Sequence, residues 1–442
     1  MKTISKNLAK LEKILDLAKK GNAAEAEIIY RSRSDNPVSF ENNKLKTLES
    51  NQSSGTAIRL IKNNKIGIAS STDPDAVESI VNSALEASEY GPQATFELSK
   101  EKLEAVNHTS TPGIPLEKLL ERGIKVIDAL KAFHKDLLIS GGYDLSFSET
   151  LYLNTNGISG KRSKNIYSSG FYTNLVRGED FLGIYEGNSS LEDFPDDKCI
   201  INTLLEKLNY SKENLSLETK KYLVLFTPRA VSSIFEYIFS VILNGKYIEQ
   251  KISPLTDKLG KEIFDKKLTF IEDPNTGTGK TVFDDEGTKT VKKELIKNGV
   301  VKSFYFDLSS ASRVMPRHDS TGNGFKPSLS SPPSPSLTSL VIEGGKTKYK
   351  DIIKNIKEGI LVDQLLGAGQ SNTLSGEFNV GIDLGFHIEN GKILGRIKNC
   401  MVAGNIFEVL KNISEISSDQ EWVGGSSLLP AFLIENMTVA GK

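Results

Sequence analysis

Ile4, Leu8, Leu11, Leu15 and Ala18 recur at helical spacing through an otherwise charged N-terminus, which predicts an amphipathic helix. The period then shortens. Ala26-Glu27-Ile28-Ile29-Tyr30 reads as a strand, and apolar runs at 57–61 and 66–70 flank Asn63-Asn64. Asparagine tolerates positive φ, so that pair predicts a tight hairpin. Thr72-Asp73-Pro74 is expected to open a helix, Asp73 capping and Pro74 first, with Val77, Ile80, Val81, Ala84 and Leu85 on its apolar face. A second helix is expected from Pro115 to about Phe133, with Leu119, Leu120, Ile124, Ile127 and Leu130 on one stripe. Strands at 143–149 and 150–154 lead through Asn156-Gly157 to another at 165–176, and the polar stretch 211–219 reads as a linker. Leu223 to Phe226 is a short buried strand. Thr227-Pro228 starts a helix with apolar positions Val231, Ile234, Phe235, Ile238 and Ile242, and Gly245 is expected to close it. Strands and turns dominate afterwards, with type I′ hairpin signals at Asn298-Gly299 and Asn390-Gly391. Proline donates no ladder hydrogen bond, so 330–335 is expected to be an exposed loop.

This pattern predicts an α+β protein: an N-terminal α/β region (1–112), a middle α/β region (113–219) and a strand-rich C-terminal domain (220–442). A chain of 442 residues exceeds one ordinary core. The formal net charge of −1 leaves no basic excess to collect phosphates, which argues against direct nucleic-acid binding. Cys199 and Cys400 are too few for a disulfide framework, and both are expected to be buried. There is no apolar run of about 18 residues, and no apolar core typical of a signal peptide, so a cytoplasmic chain with no membrane partner is expected.

Local chemistry is sparse. Gly277-Thr278-Gly279-Lys280-Thr281 has the flavour of a phosphate loop, but Pro274 stands where the first glycine belongs and acidic residues follow instead of a helix. The expectation is a flexible loop. No GxSxG elbow is present, and Ser99-Lys100-Glu101-Lys102 reads as a charged surface run. Asp284-Asp285-Glu286 is expected to be a solvated turn, and Glu236 a solvated helix position. His108, His134, His318 and His387 lie too far apart in sequence to share a helical turn. Glycine admits close backbone approach, so Ser320-Thr321-Gly322-Asn323-Gly324 and Gly369-Gln370-Ser371-Asn372 are candidates for a peptide channel or a subunit seam, with tight turns as the alternative.

An ordered series of segments says more: DDEGTKT (284–290), STGNG (320–324), LLGAGQSNTLSGEF (365–378), HIENGKI (387–393), MVAGN (401–405) and MTVAGK (437–442). The series resembles the TldD/PmbA family, described as modulators of DNA gyrase and as two-subunit metallopeptidases. The catalytic TldD branch carries HExxxH on a mid-chain helix and a cysteine further on. The matching helix here reads Phe235-Glu236-Tyr237-Ile238-Phe239-Ser240, and the cysteine region reads Gly369-Gln370-Ser371-Asn372. The chain therefore resembles the PmbA (TldE) branch. That resemblance implies no catalytic or metal residue in this chain, Phe235, Glu236 and Ser240 being degenerate motif positions, and zinc only in a TldD-like partner. It also implies a closed chamber for peptides or small unfolded proteins. Alternatives are a stand-alone homodimeric binding protein without catalysis, and a peptidase with an unusual metal site.

Overall fold

In the computed structural model, residues 2–104, 114–368 and 372–441 are described. Strand accounts for 43% and helix for 23%, so the α+β class holds with strands dominant. Helix α1 (Lys2–Lys20) buries Leu11, Ile14, Leu15 and Ala18. Strands β1 (Glu25–Glu41), β2 (Lys44–Leu48), β3 (Asn51–Lys62) and β4 (Lys65–Ser71) follow. Asn63 and Asn64 have φ of 50° and 59°, the positive values that the hairpin requires. Helix α2 (Val77–Tyr90) starts later than expected, because Asp73 folds back on its own chain and accepts the Asp75 N–H at 2.9 Å.

Helix α3 (Leu116–Lys131) matches its expected span, although Ile124 faces solvent. The two strands expected between 143 and 154 form one, β5 (Leu138–Asn154), which turns into β6 (Ser159–Arg177) and β7 (Asp180–Ser190). Segments 1–112 and 113–219 feed one seven-stranded sheet in the order β4-β3-β1-β5-β6-β7, with β2 on β1. The expected boundary near Pro112 lies outside the described residues.

Helix α4 (Asp197–Tyr210) leads into the supposed linker. This instead pairs as β8 (Asn214–Leu215) and buries Leu217. Strand β9 (Lys220–Phe226) is followed by α5 (Pro228–Val231), a π turn (Ser232–Glu236) and α6 (Tyr237–Ile242). Gly245 does not close this helix. It is the first residue of α7 (Gly245–Glu249), capped by Asn244. Then come β10 (Phe270–Glu272), β11 (Lys293–Lys297), β12 (Val300–Val301), α8 (Leu308–Arg313), β13 (Gly324–Phe325), β14 (Ser334–Pro335) and β15 (Leu340–Ile342). Pro333 and Pro335 are buried, Pro335 in the two-stranded β13–β14 pair, so 330–335 is only partly the exposed loop expected. Helix α9 (Tyr349–Asn355), β16 (Glu358–Leu366), β17 (Glu377–Glu389), β18 (Lys392–Ile397), β19 (Cys400–Asn405), α10 (Ile406–Val409), β20 (Ile413–Val423) and β21 (Ser427–Ala440) complete the chain. A twelve-stranded mixed sheet gathers β8–β12 and β15–β21.

Alternation explains how the two sheets meet. Even positions of β1, Ala26 and Ile28, pack with α1 and α2. Odd positions, Glu27, Ile29 and Arg31, turn the other way, where Ile29 joins Tyr152 and Phe283 of the C-terminal half. Around β1 the N-terminal sheet is thus covered on both faces.

Candidate functional site

The motif helix is built as its sequence suggests. The Thr227 side chain caps it by accepting the Ala230 N–H, and Pro228 occupies its first position. The π turn then widens it over Ser232–Glu236; such turns recur at functional sites. Phe235 is fully buried. Its ring stacks on Phe432 at 5.7 Å and meets Phe226 and Phe378 edge-on at 5.4 and 6.0 Å. Glu236 is not the solvated residue expected. Its carboxylate accepts from Ser232 Oγ at 2.6 Å and from Ser427 Oγ, at the start of β21, at 2.5 Å. Burial pushes its carboxyl above the usual range. Ser240 Oγ donates to the Tyr237 carbonyl at 2.7 Å.

These residues do not fit a zinc ion. Phe235 offers no lone pair and is enclosed by rings, and Ser240 bonds within its own helix. Among the described residues, no three His, Cys, Asp or Glu side chains gather in a way that could hold a metal. His318 stacks on Phe306 at 5.4 Å, and His387 lies on β17. Cys400 is buried, but Cys199, at the start of α4, is exposed.

The acidic turn 284–286 is also not solvated. Asp284, Asp285 and Glu286 are all essentially inaccessible. They form a clamp against the N-terminal sheet. Asp285 pairs with Arg31, with Arg162 at 2.5 Å, and with the Lys326 N–H at 2.7 Å. Glu286 pairs at 2.8 Å with Arg59, which pairs across the strand with Glu27 at 2.7 Å. Asp284 accepts the Glu286, Thr288 and Gly324 N–H groups. Burial nevertheless pushes its carboxyl up to about 7.

This clamp absorbs part of the glycine-rich candidate site. Gly322, Asn323 and Gly324 are buried. Asn323 donates to Glu272 at 2.7 Å and accepts from Lys293 at 2.9 Å, while a Cβ on Gly324 would run into the Glu286 carboxylate. Thr321 and Ser320 bond to the Phe306 carbonyl. Asn372 is exposed; Gly369, Gln370 and Ser371 lie outside the described residues, as does His108.

Among the described residues, two of the clefts that open where the halves of the chain meet are lined by charged side chains. The larger, about 830 Å³, lies beside the start of α5 and is lined by Glu186, Lys207, Arg229, Asp363 and Trp422 among others. Lys207 bridges Glu186 and Asp363 at 3.0 and 2.9 Å, and Arg229 binds Glu186 at 2.9 Å. The second, about 440 Å³, lies between the outward face of β1, β5 and β6 and the loop 279–282. The sequence reading singled out none of these charged residues. Alternation was a signal only in the smaller cleft, where Arg31 and Arg33 stand at alternate positions of β1, opposite the face that carries Ala26 and Ile28.

The geometry has close counterparts among known proteins. A family model described as the PmbA/TldA metallopeptidase C-terminal domain matches residues 219–441, and one described as the PmbA/TldA metallopeptidase domain 1 matches 26–88. The crystal structure of TldE from Thermococcus kodakarensis superposes with a TM-score of 0.89 at 26% identity, covering 98% of this chain and 100% of that one. Metalloprotease PmbA of Escherichia coli O157:H7 is 25% identical, with 97% of this chain and 94% of its own length covered. The metalloprotease TldD homolog of Buchnera aphidicola (subsp. Acyrthosiphon pisum) is 33% identical over a shorter stretch, 45% of this chain and 44% of its own length.

Proposed function

The chain belongs to the PmbA/TldD metallopeptidase family, and from that premise we propose that it is the PmbA/TldE-like, non-catalytic subunit of a TldD-type peptidase. Its role is to complete a chamber in which a TldD-like partner, carrying the zinc, cleaves peptides or small unfolded proteins. One observation carries this reading. By the resemblance of the motif helix, Phe235 stands where the catalytic branch has its first histidine, and three other aromatic rings hold it in the core. The helix is thereby retained as a packing element without its ligands. Glu236, which would act as base beside a metal-bound water, is instead satisfied by two serine hydroxyls.

An uncovered apolar face supports a partner. Tyr172 lies opposite Tyr185, and Val176 opposite Phe181, so the four share one face of β6 and β7. They are 40%, 41%, 47% and 64% exposed, respectively. Contiguous exposed apolar side chains of this kind mark interaction surfaces.

Elemental analysis combined with light scattering tests the reading. The dialysed chain is expected to hold no stoichiometric zinc, and its mass to rise above 48.5 kDa when a TldD-like partner is added. One zinc per chain would overturn it, as would a mass that the partner leaves unchanged. A homodimer that ignores the partner would favour the stand-alone binding protein.

A further inference from the structure

Strand register builds a grid of cations into the smaller cleft. Arg31 of β1 lies opposite Thr150 of β5, which lies opposite Arg162 of β6. The next row on the same face is Arg33, Ser148 and Lys164. The cations of each row stand two strand spacings apart, about 10 Å, so four like charges share one small face. The protein offsets most of this charge. Asp285 serves both Arg31 and Arg162, and Asp35 binds Arg33 at 2.6 Å.

Lys164 is left over. Its ammonium donates to the Thr278 carbonyl at 2.6 Å, and no carboxylate pairs with it among the described residues. Burial, with Arg162 beside it, lowers it to about 8. An enclosed ammonium without a counterion is unfavourable. From across the cleft the loop adds Lys280, whose exposed side chain makes no ion pair among the described residues.

We propose that this cleft is a carboxylate-binding subsite, in which Lys164 and Lys280 receive the anionic group of a peptide, either its C-terminal carboxylate or an acidic side chain. The assignment rests on the reading of this chain as a peptide-handling subunit. Its chemistry favours carboxylate over phosphate. A phosphate loop needs free backbone amides, but here the Thr278, Lys280 and Thr281 N–H groups are committed to the carbonyls of Gly425, Gly277 and Pro274. What remains is a pair of ammonium groups beside half-buried Phe325 and Leu337. A short peptide offers both an anion and an apolar side chain to such a cleft.

The test is isothermal titration calorimetry on the full chain alone, so that it does not depend on any partner. The probes are an N-acetylated tetrapeptide with a free C-terminus, its C-amide, a C-amide with one internal glutamate, and inorganic phosphate. At least one carboxylate peptide is expected to bind and the neutral amide is not, and the two acidic probes distinguish terminus from side chain. Lys164→Met is expected to weaken binding by roughly tenfold or more, the worth of one charge-assisted hydrogen bond. Lys280→Ala, on an exposed loop, is a second variant whose folding is not in question, and it should also weaken binding. Binding of the neutral amide as tight as the acids would overturn the proposal. So would acid binding unaltered in both variants, or tight phosphate binding that the acidic peptides do not displace. Carboxylate binding in a chain that never joins a TldD-like partner would retain the subsite and reject the subunit role.

Discussion

Phe235 shows how one side chain can fix what a helix does. It lies among Phe226, Phe378 and Phe432 with no accessible surface, so truncation removes a ring that nothing nearby can replace. Phe235→Ala is expected to cost about 3–5 kcal/mol in urea melts; a loss near zero would mean that the helix is packed in another register. Phe235→His, which supplies one imidazole opposite an unchanged Ser240, is not expected to create activity. Phe235 was legible because its burial follows the local apolar period. Glu236 was not, because one of the two serines that hold it lies 191 residues away in sequence. Lys164 makes a pH prediction. Its folded value of about 8 lies below the unfolded value of about 10.4. Between those limits the unfolded state binds more protons, so this group makes stability rise with pH and adds nothing further above them. Denaturation at pH 8 and pH 10 should show a smaller rise for Lys164→Met than for the parent chain, and equal rises would contradict the assignment.

At the scale of elements, legibility followed the range of the forces. Asn298-Gly299 and Asn390-Gly391 turn as expected, with φ of 48° and 75° and of 49° and 72°, because the residues themselves supply the positive φ. The run 211–219 looked like a linker because the partner of β8, β18, lies far along the chain. The acidic turn 284–286 looked solvated because its cations come from β1, β3 and β6. Long-range pairing leaves no local trace. The clamp gives its own prediction. Asp285→Ala leaves Arg31 and Arg162 together without their carboxylate, and breaking such a buried pair costs about 3–5 kcal/mol. Guanidinium chloride denaturation checks it. A loss under about 1 kcal/mol, typical of exposed pairs, would show that the clamp does not hold the sheets together.

The whole molecule is two sheets closed on each other, with clefts at their seam and an apolar face on β6 and β7 left uncovered. The family was legible in the order of short C-terminal segments. The clefts were not, since each is assembled from both halves of the chain. On the proposed reading the chain shapes and holds substrate, while a TldD-like subunit supplies the metal. The most direct measurement is therefore cleavage of an unstructured peptide by this chain alone, by an HExxxH-bearing partner alone, and by an equimolar mixture, followed by mass spectrometry. The account predicts cleavage that needs the mixture. Cleavage by this chain alone, or equal cleavage by the partner with and without it, would contradict the account.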